Sequence, residues 1–206
     1  CRSRGNRRMT ISRATALELL TANGLAPRRA LGQNFVVDPN TVRRIARMAD
    51  LGPRQRVVEI GAGLGSLTLA LAETGAEVLA IEVDNGLVPI LRKQVADRPN
   101  VRVVHADITR FDLAHELGLG EPWTLVANLP YNIATPLVAD VLDLVPAVQR
   151  MLVMVQKEVG ERFVASPRTP AYGAVSVKVA YWAEARIEGL VPPTVFLPKP
   201  NVDSAL

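Results

Sequence analysis

Short apolar runs at residues 56–60, 77–81, 101–105, 124–127 and 149–155 alternate with stretches of helix length that carry apolar residues on one face. This exchange limits the folds open to the chain. Runs that are apolar at successive positions belong to strands covered on both faces, and parallel strands need a crossover element between them, which here is a helix. The pattern predicts an α/β fold built on a doubly wound, mostly parallel sheet of the Rossmann-like kind. There is no internal repeat and no low-complexity segment, and 206 residues suffice for one sizeable core.

Ahead of the first sheet strand, residues 15–20 belong to a short helix closed by Asn23-Gly24. Asp38-Pro39, followed by Val42, Ile45, Ala46 and Ala49, reads as an N-cap, an N1 proline and an apolar stripe that ends at Gly52-Pro53. Residues 174–182 fit two periods: Val175, Val177 and Val179 alternate as in a strand, while Tyr172, Val175, Val179 and Trp182 make a helical stripe. Residues 184–191 are a further strand candidate. The proline-spaced segment from Phe196 to Ser204 reads as a rigid loop leading into a last strand.

The hydrophobic fraction of 49% with 21% charged residues is that of a folded domain, and no apolar run approaches the roughly 18 residues that span a bilayer. The single cysteine, Cys1, has no partner within the chain, and the basic leader from Arg2 to Arg8 is not followed by the apolar core of a signal peptide. A reducing cytoplasm is the expected compartment. Lys plus Arg exceed Asp plus Glu by 24 to 20, with arginines clustered at residues 2–8, at Arg28 and Arg29, and at Arg43, Arg44 and Arg47. Each cluster alone is an ordinary solvated face, but their concentration in the first quarter favours a polyanionic partner. Residues 1–8 are expected to be a basic tail and 9–206 the catalytic domain. The start at Cys1, with Met9 close behind, and the end at Leu206 in a strand-like segment lead to the expectation of a missing C-terminal portion.

The first strand ends in Glu59-Ile-Gly61-Ala-Gly63-Leu-Gly65, and a helix follows from Ser66. Glycines at a strand-to-helix turn let backbone approach a ligand and expose the amides of the helix start. Glu82 ends the second strand, where an acidic side chain accepts hydrogen bonds from ribose hydroxyls, and Asp107 ends the third. As plain structure, Glu82 would be a charge preceding a helix and Asp107 a turn residue. Glycines at every second position after an acidic residue differ from the dinucleotide fingerprint and fit S-adenosyl-L-methionine better. With no Walker lysine motif, one cysteine and only His105 and His115, no metal site is expected.

Asn128-Leu129-Pro130-Tyr131 closes the fourth strand, and Asn132 to Pro136 opens the next helix. An adenine amino nitrogen is a poor nucleophile because its lone pair is conjugated with the ring, so a methylase must hold the amino hydrogens and align the nitrogen with a methyl carbon. The Asn128 side-chain oxygen and the Leu129 carbonyl are candidate acceptors, Pro130 stiffens the backbone, and Tyr131 offers a face for an extruded base. An ordinary turn explains Asn128 and Pro130 but not the aromatic residue.

Through these motifs the chain resembles the ribosomal RNA adenine N6-dimethyltransferase family. Within it, the closest resemblance is to the bacterial branch that dimethylates two adjacent adenines near the 3′ end of 16S ribosomal RNA. The matching residues are Leu31 to Phe35, Glu59 to Gly65, Glu82, Asp107, Asn128 to Asn132, Val155 to Val159, Tyr172-Gly173 and Phe196 to Ala205. The resemblance implies a class I S-adenosylmethionine-dependent methyltransferase in which Asn34 and Val36 touch the cofactor, Gly61 and Gly63 lie under it, Glu82 binds its ribose and Asp107 its adenine. Asn128 lies between cofactor and target, and Tyr131 and Phe196 sandwich the target adenine; as plain structure, Phe196 is a core anchor beside Pro198. The resemblance also implies a helix at residues 172–182, 16S ribosomal RNA within the immature small subunit as partner, a monomer, and a C-terminal helical domain beyond the end of this chain.

Two positions depart from the common pattern: Val36, where leucine is usual, and Ala62, where proline is usual. A sister branch that methylates large-subunit RNA usually has isoleucine where Leu129 stands, and DNA adenine methylases commonly have an aspartate and paired prolines at this motif. A third possibility is a ribosome-assembly binding factor, which has no need of the Asn128 to Tyr131 geometry.

Overall fold

The computed structural model describes residues 10–28 and 31–206; the basic tail expected at 1–8 and Arg29 lie outside them. Helix α1 (Arg13–Ala22) starts where the Ser12 hydroxyl accepts from the Thr15 amide, and it ends at Asn23. After β1 (Phe35–Val36), helix α2 (Pro39–Met48) is capped by Asp38, which accepts from the Thr41 amide at 2.7 Å and the Thr41 hydroxyl at 2.6 Å. The Asp38-Pro39 start and the Val42, Ile45, Ala46 stripe are therefore as read from the sequence.

Strands β2 (Arg56–Ile60), β3 (Glu77–Glu82), β4 (Val101–His105), β5 (Trp123–Asn128) and β6 (Val148–Gln156) alternate with α3 (Ser66–Ala72), α4 (Leu87–Gln94), α5 (Leu113–Leu117) and α6 (Ala134–Leu144). Helices α7 (Lys157–Phe163) and α8 (Ala174–Trp182) follow, then β7 (Leu190–Val191), β8 (Phe196–Leu197) and β9 (Ser204–Ala205). The main sheet has the order β4-β3-β2-β5-β6-β9-β7; its first five strands are parallel, and β9 runs antiparallel between β6 and β7. The doubly wound, mostly parallel α/β architecture is thus as expected. None of the described helices is long and apolar enough to cross a membrane.

The segment that fitted both periods is helix α8: the Gly173 amide donates to the Ser176 hydroxyl, Val179 is buried and Val177 faces outward. The strand expected at 184–191 is corrected to Leu190–Val191 alone. Leu190 and Val191 pair with β9, Glu188 and Gly189 exchange main-chain hydrogen bonds with Leu206, and residues 184–186 are exposed without a strand partner among the described residues.

One core lies between the sheet and α5 to α8, with Val58, Ile60, Leu125, Leu137 and Phe163 among its members; another, with Val42, Ile45, Leu71 and Met154, lies under α2 and α3. A third joins α1 to α4 through Leu20, Leu69 and Leu91. Outside the main sheet, β1 pairs with β8, Val36 opposite Phe196, and the Val37 amide donates to Val195 O at 2.8 Å. Arg13 donates from Nη2 to the carbonyls of Thr194 and Phe196, both at 2.8 Å. The segment before α2 is thereby fastened to the chain before β9.

Phe196 has no exposed surface and packs in the core that contains Val36, Val42 and Met154. Phe196→Ala is expected to cost about 3–5 kcal/mol through lost burial and an unfilled cavity. Denaturant unfolding measures it; a loss under about 1 kcal/mol would show that the ring does not anchor this pairing.

Candidate active site

The order of the sheet locates the site. From β2 the chain builds outward to β3 and β4, then returns to place β5 on the other side of β2. The helices that follow β2 and β5 leave on opposite faces, and a crevice opens at the carboxyl ends of these two strands, the usual ligand position in such sheets. It encloses about 770 Å³ of empty space open to solvent.

Asn34, Val36, Gly61, Gly63, Glu82, Asn128, Leu129, Pro130 and Tyr131 all line this crevice. Asp107 lines an adjoining cavity that shares Leu31, Gly61, Val83 and Pro130 with the first. It is exposed, and it accepts from the Thr109 amide at 3.0 Å and hydroxyl at 2.7 Å, bonds that hold its carboxyl below its ordinary pKa. Phe196 is the exception. Its buried ring lines neither cavity, because the β1–β8 pairing carries it into the core; the expected stacking face is corrected to a structural anchor.

The glycine-rich turn leaves β2 with Gly61, Gly63 and Gly65 at φ of 77°, 57° and 91°, a conformation that side chains disfavour. A Cβ on Gly61 would stand 3.8 Å from the Asn128 carbonyl and from Pro130 Cδ, across the narrow part of the crevice. At Gly32 (φ 62°) a Cβ would stand 2.9 Å from Asn132 Oδ1 and 3.2 Å from Pro130 Cβ. The segment from Leu31 therefore lies directly on the loop that follows β5. Gln33 secures it, with Nε2 donating to Asp84 at 2.9 Å and Oε1 accepting from the Arg28 amide at 2.8 Å.

Asn128 is joined to the same segment: its Nδ2 donates to Asn34 O at 2.8 Å. With the amide nitrogen committed there, Oδ1, which accepts no hydrogen bond among the described residues, is the end left for a ligand. Glu82 is buried, its carboxylate accepting from the Gly63 amide at 2.7 Å and the Asp84 amide at 2.8 Å. Burial raises its pKa, and those two bonds oppose the rise. Tyr131 is half-buried, and burial raises its phenol as well.

Two lining residues had no assigned role in the sequence reading. Glu59 is 2% exposed, accepts from the Thr68 hydroxyl at 2.5 Å, and is pushed up to about 8 by burial, with Glu82 adding to the rise. Its position just before the glycines, with Thr68 on the helix after them, was the available signal. Ser66, at the start of α3, has a buried hydroxyl without a hydrogen-bond partner among the described residues. Buried hydroxyls are ordinarily satisfied, so this one fits a polar ligand in the crevice.

This architecture, with its site at the carboxyl ends of β2 and β5, is that of a class I methyltransferase. A family model described as ribosomal RNA adenine dimethylase matches residues 24–206, and the chain belongs to that family. The ribosomal RNA small subunit methyltransferase A of Thermobifida fusca is 50% identical over an alignment of 188 positions that covers 89% of this chain and 64% of that protein. The chain thus spans slightly less than two thirds of that relative's length. Among solved structures, the 23S rRNA methyltransferase ErmE superposes with a TM-score of 0.70 at 33% identity, covering 83% of this chain and 67% of that one. A dimethyladenosine transferase from Plasmodium falciparum gives 0.73 at 25% identity, covering 82% and 60%.

Glu59 yields a pH prediction. A carboxyl whose folded pKa lies above its unfolded value stabilises the fold while both states are protonated, so its contribution is complete below about pH 4.5 and is lost as pH rises toward 8. Glu59→Gln keeps an acceptor for Thr68 and cannot ionise. Its unfolding free energy in denaturant is expected to exceed the parent's by a margin that widens from pH 5 to pH 8, reaching on the order of a few kcal/mol. Parallel curves would mean that Glu59 is ionised throughout.

Proposed function

We propose that this chain transfers methyl groups from S-adenosyl-L-methionine to the N6 amino groups of two adjacent adenines near the 3′ end of 16S ribosomal RNA. In this reading it acts as a monomer, in the cytoplasm, on immature small subunits during ribosome biogenesis. The observation that carries the reading is the Asn128 amide, whose nitrogen is held by Asn34 O while its oxygen remains available beside Pro130 and Tyr131. The small-subunit assignment draws on relatives of that name at 42–50% identity, against 33% for ErmE.

The residues present fit the cofactor. Burial favours the neutral forms of Glu59 and Glu82, both lining the crevice, and a cation bound there would favour their ionised forms, so the two are coupled. The positive-φ turn at Gly61 leaves room that a Cβ would fill, and the Ser66 hydroxyl, unpartnered among the described residues, is free to donate to a ligand. S-adenosylmethionine supplies a methyl group activated by a positively charged sulfur. Glu82 keeps lone pairs for ribose hydroxyls beyond the two amides it already accepts from, Asp107 faces the adjoining cavity for the cofactor's adenine, and Asn34 and Val36 close the opposite wall.

Toward the target base, Asn128 Oδ1 and the Leu129 carbonyl accept the two amino hydrogens, which turns the nitrogen lone pair out of conjugation and toward the methyl group. Tyr131 supports the face of the base, and the amino proton departs to solvent as the new bond forms. Base–aromatic stacking is worth about 1–3 kcal/mol, so Tyr131→Ala is expected to lower kcat/KM on unmethylated small subunits roughly 10–100-fold, with cofactor affinity by calorimetry unchanged. Full activity in that variant would remove Tyr131 from the base site.

A further inference from the structure

Ser204 opens the last strand and is the first of three consecutive buried residues, and it has no exposed surface. Main-chain pairing holds it from both sides, opposite Gln156 at the end of β6 and Val191 of β7. Its neighbours Ala205 and Leu206 are apolar and buried, and a Cβ placed on Gly160 would come within 2.8 Å of Ala205 Cβ, so the strand is closely packed. A hydroxyl in such a place costs free energy unless it is hydrogen-bonded, and alanine would satisfy the packing as well.

Among the described residues its one partner is the Tyr131 hydroxyl, 3.1 Å away. Tyr131 follows β5, and β6 lies between β5 and β9 in the sheet. The phenol therefore reaches past the carboxyl end of β6, and its ring is held at both ends, by the backbone beside Pro130 and by Ser204. Holding the oxygen fixes the position of the ring and the direction of its axis, which the first side-chain torsion sets, and the preference of a phenol hydroxyl for the ring plane biases rotation about that axis. A stacking face needs that constraint, because a ring free to turn about its two side-chain torsions presents its face to the base only part of the time.

We propose that Ser204 is a positioning residue for methyl transfer, acting through the Tyr131 hydroxyl to fix the ring that carries the target adenine. The proposal rests on the base-stacking role given to Tyr131 above. It assigns no contact with substrate to Ser204 itself, and it accounts for a buried polar residue in a strand where packing asks for none.

The test is a double-mutant cycle on the full chain with Ser204→Ala and Tyr131→Phe, which removes the hydroxyl but keeps the ring. Each single variant is expected to lose 5- to 30-fold in kcat on unmethylated small subunits, with cofactor affinity by calorimetry unchanged, and the double variant to lose no more than either. Losses that multiply, a Ser204→Ala rate equal to the parent's, or a matching fall in cofactor affinity would overturn the proposal. A second readout is independent of turnover. The chain has three tyrosines, and with ¹³Cζ-labelled tyrosine Ser204→Ala is expected to move the Tyr131 resonance and leave Tyr172 and Tyr181 in place. An unmoved Tyr131 signal would overturn the contact. A parent protein that binds cofactor and methylates no RNA, with the resonance shift present, would count against the base-stacking reading and against Ser204's catalytic consequence together.

Discussion

A parallel sheet whose chain returns to the other side of its own first strand must leave a gap between the crossover helices, and here that gap falls between β2 and β5. Every residue given a role in binding stands at a strand end facing it or on a segment folded over it. The glycine turn follows β2, Glu82 ends β3, Asp107 follows β4, and Asn128 ends β5. The chemistry is therefore assembled from residues far apart in sequence by backbone pairing, and the side chains need only be of the right kind at the ends of correctly registered strands.

What the sheet does not provide is a wall on the open side. That comes from the segment before α2, which the β1–β8 ladder, Arg13 and the Gln33–Asp84 bond fasten in place. The Asn34 carbonyl on this segment accepts from Asn128 and so decides which end of that amide meets a ligand. Glycine at position 32 permits the close approach. Fold and chemistry meet at this contact, because Phe196, buried beneath the same ladder, helps to hold the segment that orients the acceptor.

Much of this was legible in the sequence, and the reasons differ by residue. The central strand at 56–60, covered on both faces, the edge strand at 101–105 and the N-cap at Asp38 all follow from local pattern. The convergence of Gly61, Glu82 and Asn128 was legible as strand ends on one side of a doubly wound sheet. Pairing partners were not. The strand expected at 184–191 is confined to Leu190 and Val191, which pair with β9, and Phe196 went to the core because β8 pairs with β1. A motif states which residue stands at a position, but burial depends on what packs against it. The same limit hid Glu59 and Ser204, whose roles depend on partners nine and 73 residues away.

The central claim is that this crevice brings an adenine N6 against the methyl group of S-adenosylmethionine. It is tested most directly by supplying isotopically labelled S-adenosylmethionine with small subunits that lack these methyl groups, digesting the RNA, and identifying the labelled nucleoside and its position by mass spectrometry. The account predicts N6,N6-dimethyladenosine at two adjacent positions near the 3′ end of 16S ribosomal RNA. Label on another atom or another base, or none on RNA from a protein that binds the cofactor and these subunits, would contradict it.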